Sequence, residues 1–137
     1  IIQQHHGTTL MQYFYKKALL MKGEGEEVDE KIFCYDGPKP QFKESAIILL
    51  ADAIEASSRS LEKVTPQSVQ DLVIKIIKDR IEMEQFNECN ITLQDLDVMR
   101  KTFQMVLLSM LHSRVSYDKI EVDPSNNTTD QSPDAKA

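Results

Sequence analysis

The sequence predicts an all-α protein, a bundle of four to five helices. Apolar residues recur at three- and four-residue spacing along most of the 137-residue chain. No apolar–polar alternation runs long enough to read as a strand. Helix-start signals are strong, clearest at Thr65-Pro66. There a capping hydroxyl precedes a proline whose fixed φ suits the first helical position.

The first helix is expected to start at Thr8 or Thr9, since either hydroxyl can accept from unpaired backbone N–H groups. Leu10, Tyr13, Phe14, Ala18 and Met21 then share a face, and Gly23 and Gly25 stop the helix. An acidic, flexible GEGEEVDE leads into the aromatic IFCY and then Asp36-Gly37-Pro38-Lys39-Pro40. Each proline disfavours the helical region in its predecessor, so this stretch is an extended loop. The second helix begins near Lys43 or Ser45. Eight of the nine residues in AIILLADAI, Ala46 to Ile54, are apolar, which predicts a central, buried helix. After Thr65-Pro66, Val69, Leu72, Val73, Ile76, Ile77 and Ile81 form a core stripe. Asn87 to Asn90 is a polar break, and Thr92 caps a last long helix ending between His112 and Tyr117. Its buried side is read as Leu93, Leu96, Met99, Phe103, Val106, Leu107, Met110 and Leu111. Residues 1–122 are expected to fold as one domain. Residues 123–137, DPSNNTTDQSPDAKA, offer only alanine as an apolar residue and read as a disordered tail.

Composition narrows the function. Sixteen basic against 22 acidic residues leave a net charge of −6, which argues against wrapping a DNA or RNA polymer. A small phosphate substrate stays compatible, because bound metal ions dominate their local field. No apolar run approaches the roughly 18–20 residues of a membrane span, and no signal peptide is visible. Cys34 and Cys89 lie far apart without a CxxC spacing and read as two free thiols. The chain opens on Ile1-Ile2 rather than Met, which reads as a segment whose upstream part is missing.

Three groups of residues stand out for chemistry. Asp52 interrupts the apolar run of the second helix. A carboxylate there is either paired, with Arg59 two turns away as one partner, or turned to a wet groove, or bound to metal. His5 and His6 are adjacent, and neighbouring side chains on a helix diverge by about 100°. Both reach one site only at an irregular turn, which Gly7 supplies; otherwise they are terminal imidazoles in solvent. Lys39, Lys43 and Arg59 flank Asp52 and suit either phosphate oxygens or plain solvent. His112, near the expected end of the last helix, fits the negative end of the helix dipole.

Together HHGT and YDGPKPQFKESAIILLADAIEASSRSL resemble the later half of an HD-superfamily phosphohydrolase domain. More closely, they are similar to the cytoplasmic domain of the seven-transmembrane HD hydrolases, the cyclic-di-AMP phosphodiesterases of PgpH type. TPQSVQDLVIKIIKDRI and HSRVSY carry the similarity on to Tyr117. The resemblance implies an HD-type helical bundle with two divalent metal ions, iron or manganese. It implies a cyclic dinucleotide substrate opened to a linear one. The parent would be a bacterial inner-membrane protein with this domain in the cytoplasm, attached through upstream segments missing here. His5 and His6 match the family's His-His pair, which binds the second metal, and Asp52 matches its late Asp, which binds the first. Lys39 and Arg59 are then expected to contact phosphate, and Gly7 and Thr8 to shape the pocket through their backbone. The chain departs from the family in one respect: the early His, the His-Asp doublet and the third His have no counterpart. This polypeptide alone is therefore expected to be inactive, its metal site incomplete or empty, and to self-associate through uncovered apolar faces. The competing readings are a catalytically inactive regulatory module of the same fold and an unrelated helical interaction protein.

Overall fold

A computed structural model describes the backbone of residues 1–120 and the side chains through residue 114. The tail expected over 123–137 lies outside the described residues. The elements are α1 (Gln12–Met21), a 3-10 turn (Glu30–Phe33), α2 (Lys43–Ser58), α3 (Pro66–Glu82) and α4 (Leu93–Ile120). The architecture is all-helical, and no strand occurs among the described residues beyond an isolated antiparallel bridge between Leu10 and Cys34. None of these helices is long and apolar enough to cross a membrane.

The core is the seam between α2, α3 and α4. α2 contributes Ala46, Leu49, Leu50 and Ile54, and α3 contributes Val69, Val73, Ile76 and Ile77. α4 adds Leu96, Met99, Leu107 and Leu111, and Phe86 closes one end. Each set follows the 3.6-residue period, so each helix turns one stripe inward. Full burial of one such leucine contributes about 1.5–3 kcal/mol. Caps fix the starts. Thr65 and Ser68 exchange hydrogen bonds across the first turn of α3, with Pro66 at its first position. Thr92 and Asp95 do the same for α4. Lys43 at the start of α2 reaches Asp95 at 2.8 Å and ties α2 to α4.

Several expectations need correction. α1 starts at Gln12, not at Thr8 or Thr9. The Thr9 hydroxyl turns back to the His6 carbonyl at 2.8 Å, while Thr9 O and Leu10 are engaged by the 33–35 segment. Residues 9–11 are thereby held out of the helix. α4 runs to Ile120, past its expected end, so His112 lies inside it. α2 is not wrapped on all sides: Ile47 and Ile48 are 38% and 40% exposed, and the Asp52 side chain is half exposed. Ile81, Leu93, Val106 and Met110 also face outward. Each sits on the flank of a stripe that three packed helices are too few to cover.

Candidate functional site

Residues 1–11 form a chain of turns rather than a helix, and the histidines lie within it. His5 N and Gln4 N both donate to Ile1 O, and Gly7 N donates to Gln4 O. Gly7 has φ +54°, and a Cβ there would collide with Gln85 Oε1. Glycine is thus required for both conformation and space. The turn is pinned from far along the chain. The Thr8 N–H donates to Gln85 Oε1 at 2.9 Å, and Gln85 Nε2 donates to Thr8 Oγ1 and Met83 O, each at 2.9 Å. Gln85 is almost wholly buried. Glu84 just before it takes φ +57°, a left-handed turn after the end of α3 that carries the chain into Gln85.

A second clamp comes from the 3-10 turn and the residues after it. Met11 N donates to Phe33 O at 2.7 Å and Tyr35 N to Thr9 O at 3.0 Å. These bonds lay the Tyr35 ring on the His6 ring, centroids 4.2 Å apart and nearly parallel. The His5 ring lies 3.8 Å from that of His6, centroid to centroid and tilted to it. The His5 Nδ1 donates to the Ile2 carbonyl at 2.7 Å. A carbonyl only accepts, so Nδ1 carries a proton and Nε2 is the nitrogen left to ligate. Burial and the neighbouring His5 lower the pKa of His6, while Asp52 opposes the shift. The lowered pKa favours the neutral imidazole of His6, the form that binds metal.

Asp52 arrives from the middle of α2. Its Oδ2 stands 3.5 Å from His6 Nδ1, facing it at a distance too long for a strong hydrogen bond. His5, His6, Tyr35, Asp52 and Arg80 line one cleft of about 210 Å³. The two imidazoles and the carboxylate thus converge. The other sequence candidates lie elsewhere. Arg59 is held by Glu55 at 2.6 Å, one turn back on α2, so it is the partner of Glu55 rather than of Asp52. Lys43 is spent on Asp95. Gly7, Thr8 and Lys39 do not line the cleft; Gly7 and Thr8 act behind it, through the turn that Gln85 holds.

Arg80 is the site residue that the sequence reading missed. Its Nε is buried without a hydrogen-bond partner, and Nη1 makes only a long contact to Met83 Sδ. Burial lowers its pKa, against Asp79 and Asp52, which raise it. A signal was present. Position 80 follows Val73, Ile76 and Ile77 at seven, four and three residues, so an arginine falls on the inward stripe of α3.

The donor chemistry, imidazole nitrogen and carboxylate oxygen, suits a divalent metal ion. The number of donors does not complete a site. Among the described residues no group of three or more His, Cys, Asp or Glu is gathered closely enough to hold an ion. The residues fit one side of a metal centre, not a whole one.

No protein-family model matches the chain. Relatives do. The chain is 44% identical over 117 residues to the cyclic-di-AMP phosphodiesterase PgpH of Bacillus subtilis strain 168, covering 85% of this chain and 16% of the relative. The same figures hold for the PgpH of Listeria monocytogenes. The crystal structure of the L. monocytogenes PgpH HD domain with cyclic-di-AMP superposes with a TM-score of 0.72 at 43% identity, covering 78% of this chain and 49% of that one. The chain is homologous to the PgpH HD domain. It spans about half of that solved domain and 16% of the length of the curated PgpH relatives. The all-α HD-type fold expected from the sequence is the fold observed.

Proposed function

We propose that this chain is the His-His and Asp-bearing part of a metal-dependent phosphodiesterase that opens cyclic-di-AMP to the linear dinucleotide. The observation that carries this reading is the convergence of His5, His6 and Asp52 on one cleft from segments far apart in sequence. The homologous HD domain crystallised with cyclic-di-AMP supports the substrate class. His5 presents Nε2 because its Nδ1 proton is committed to Ile2 O. Burial favours the neutral form of His6, and Tyr35 stacks on its ring. Asp52 brings negative charge to the same mouth. A divalent ion held by these residues and by donors from the rest of the domain would supply Lewis acidity and an acidified water. On this reading the complete protein is anchored in a bacterial inner membrane by segments outside this chain, with the domain in the cytoplasm.

The test is turnover. The full-length protein supplied with manganese or iron is expected to linearise cyclic-di-AMP. His6→Ala and Asp52→Ala are expected to lower activity by about 100-fold or more, since even losing a group that only hydrogen-bonds to a metal ligand costs about 10–100-fold. No turnover by the full-length protein would overturn the assignment and leave the regulatory-module reading in its place. The isolated 137-residue chain is expected to be inactive, because its donor set is incomplete. Normal manganese-dependent turnover by that chain alone would overturn the half-site reading. Its open apolar faces also lead us to expect self-association. A sharp monomer by light scattering across micromolar concentrations would contradict it.

A further inference from the structure

The cleft does not end at Arg80. A second, more polar groove of about 500 Å³ begins there and shares Gln12, Ser57 and Arg80 with the first. It runs between α1 and α3, with Lys16 on one side and Lys75 and Asp79 on the other. Three cations against one carboxylate is a local excess of positive charge in a chain of net charge −6. Among the described residues neither lysine is in an ion pair, so both ammonium groups stay available to an anion in the groove. The buried Arg80 Nε has no acceptor. Buried donors are nearly always satisfied, so an orphan at the junction of two cavities calls for an acceptor from outside the protein. Size argues the same way. The first cleft is smaller than the roughly 300–1,000 Å³ typical of small-molecule sites; with the adjoining groove the space falls in that range.

We propose that this groove is a second anion subsite: Arg80 at the junction, with Lys16 and Lys75 beyond it, takes the phosphodiester of a cyclic dinucleotide that is not being cleaved. The inference rests on the phosphodiesterase reading. One phosphodiester sits at the His5, His6 and Asp52 mouth, and the ring carries the other into the groove. Arg80 lies between the two and orders the substrate relative to the reacting phosphorus. Ser57 offers a hydroxyl at the shared wall.

The experiment compares two substrates on the full-length protein with manganese. Cyclic-di-AMP has two phosphodiesters, and bis(p-nitrophenyl) phosphate has one and reaches only the first cleft. Arg80→Ala is expected to lower the ratio of kcat/KM for cyclic-di-AMP to that for the small diester by about tenfold or more, the change falling mainly on KM. Lys16→Ala and Lys75→Ala, at exposed positions that leave the core intact, are expected to shift the same ratio about two- to threefold each. Arg80→Lys should recover part of the loss, since charge is kept while the fork geometry is not. An unchanged ratio in all three alanine variants, or equal losses on both substrates, overturns the subsite. A full-length protein that hydrolyses neither substrate overturns the phosphodiesterase reading, and this inference with it.

Discussion

Helices α2 and α3 bury stripes of four or more side chains each, whereas α1, ten residues long, buries none. Tyr13, Leu20 and Met21 of α1 are 72%, 88% and 75% exposed, yet their spacing is that of a core-facing helix. The two regions are held by different means. The α2–α3–α4 seam is held by apolar burial. The region around the histidines is held by directional bonds: Gln85 to Thr8, Tyr35 and Phe33 to residues 9–11, and Gln41 N to Gln4 Oε1. One region carries its own driving force. The other is a polar scaffold with an apolar helix attached, its open side fitting the proposal that further parts of the domain pack there.

That contrast can be broken by substitution. The largest effect should come from Leu50→Ala in the fully buried seam, a loss of about 2–5 kcal/mol in denaturant unfolding. Leu20→Ala on α1 should stay within about 0.5 kcal/mol in the same experiment. Equal costs would show that α1 is packed in solution and that the two regions are one. Next comes Gln85→Ala, which strands the Thr8 N–H and should cost about 1–3 kcal/mol. Hydrogen exchange should then speed up around residues 5–9 while the α2–α3 seam stays protected; uniform acceleration would mean that Gln85 supports the whole fold. Thr65→Ala removes a reciprocal cap and should cost about 1 kcal/mol, with Thr65→Ser close to neutral.

The smallest effect is electrostatic. The Lys43 hydrogen bond, aided by Thr92, pulls the Asp95 carboxyl from 3.8 down to about 2. A depressed acid stabilises the fold above its ordinary pKa, and that contribution is lost as pH falls through the folded value. The stability difference between wild type and Asp95→Asn should therefore be flat above about pH 5 and close between 3.8 and about 2. A gap that persists at the acid end would assign the role of Asp95 to cap geometry instead.

The seam was legible because its signals are local. Thr65-Pro66 and the 69, 73, 76, 77 stripe mark α3 without reference to anything distant. The flanks were not. Ile81, Leu93, Val106 and Met110 are apolar and correctly spaced, but exposure depends on which neighbours exist, and periodicity does not report that. At the site, the approach of His5, His6 and Asp52 was expected, through the resemblance of their surrounding motifs. Gln85 was invisible: a glutamine in a polar linker looks like solvent-facing chain until the fold brings it 77 positions back to Thr8. Arg80 was readable and overlooked, because Ile81 beside it offered an easier continuation of the stripe. Arg59 was favoured by nearness to Asp52 in sequence, but Glu55, one turn away, holds it.

The Gln85 tether has a mechanical consequence. Gln85 hangs from the end of α3, its N–H donating to Arg80 O in the last turn and its Nε2 to Met83 O just beyond it. Fraying there would loosen one of the two clamps on the histidine turn, leaving His5 and His6 held from the 33–35 side. A partner or small molecule that stiffened the Met83–Gln85 corner would sharpen the histidine turn from behind, without entering the cleft.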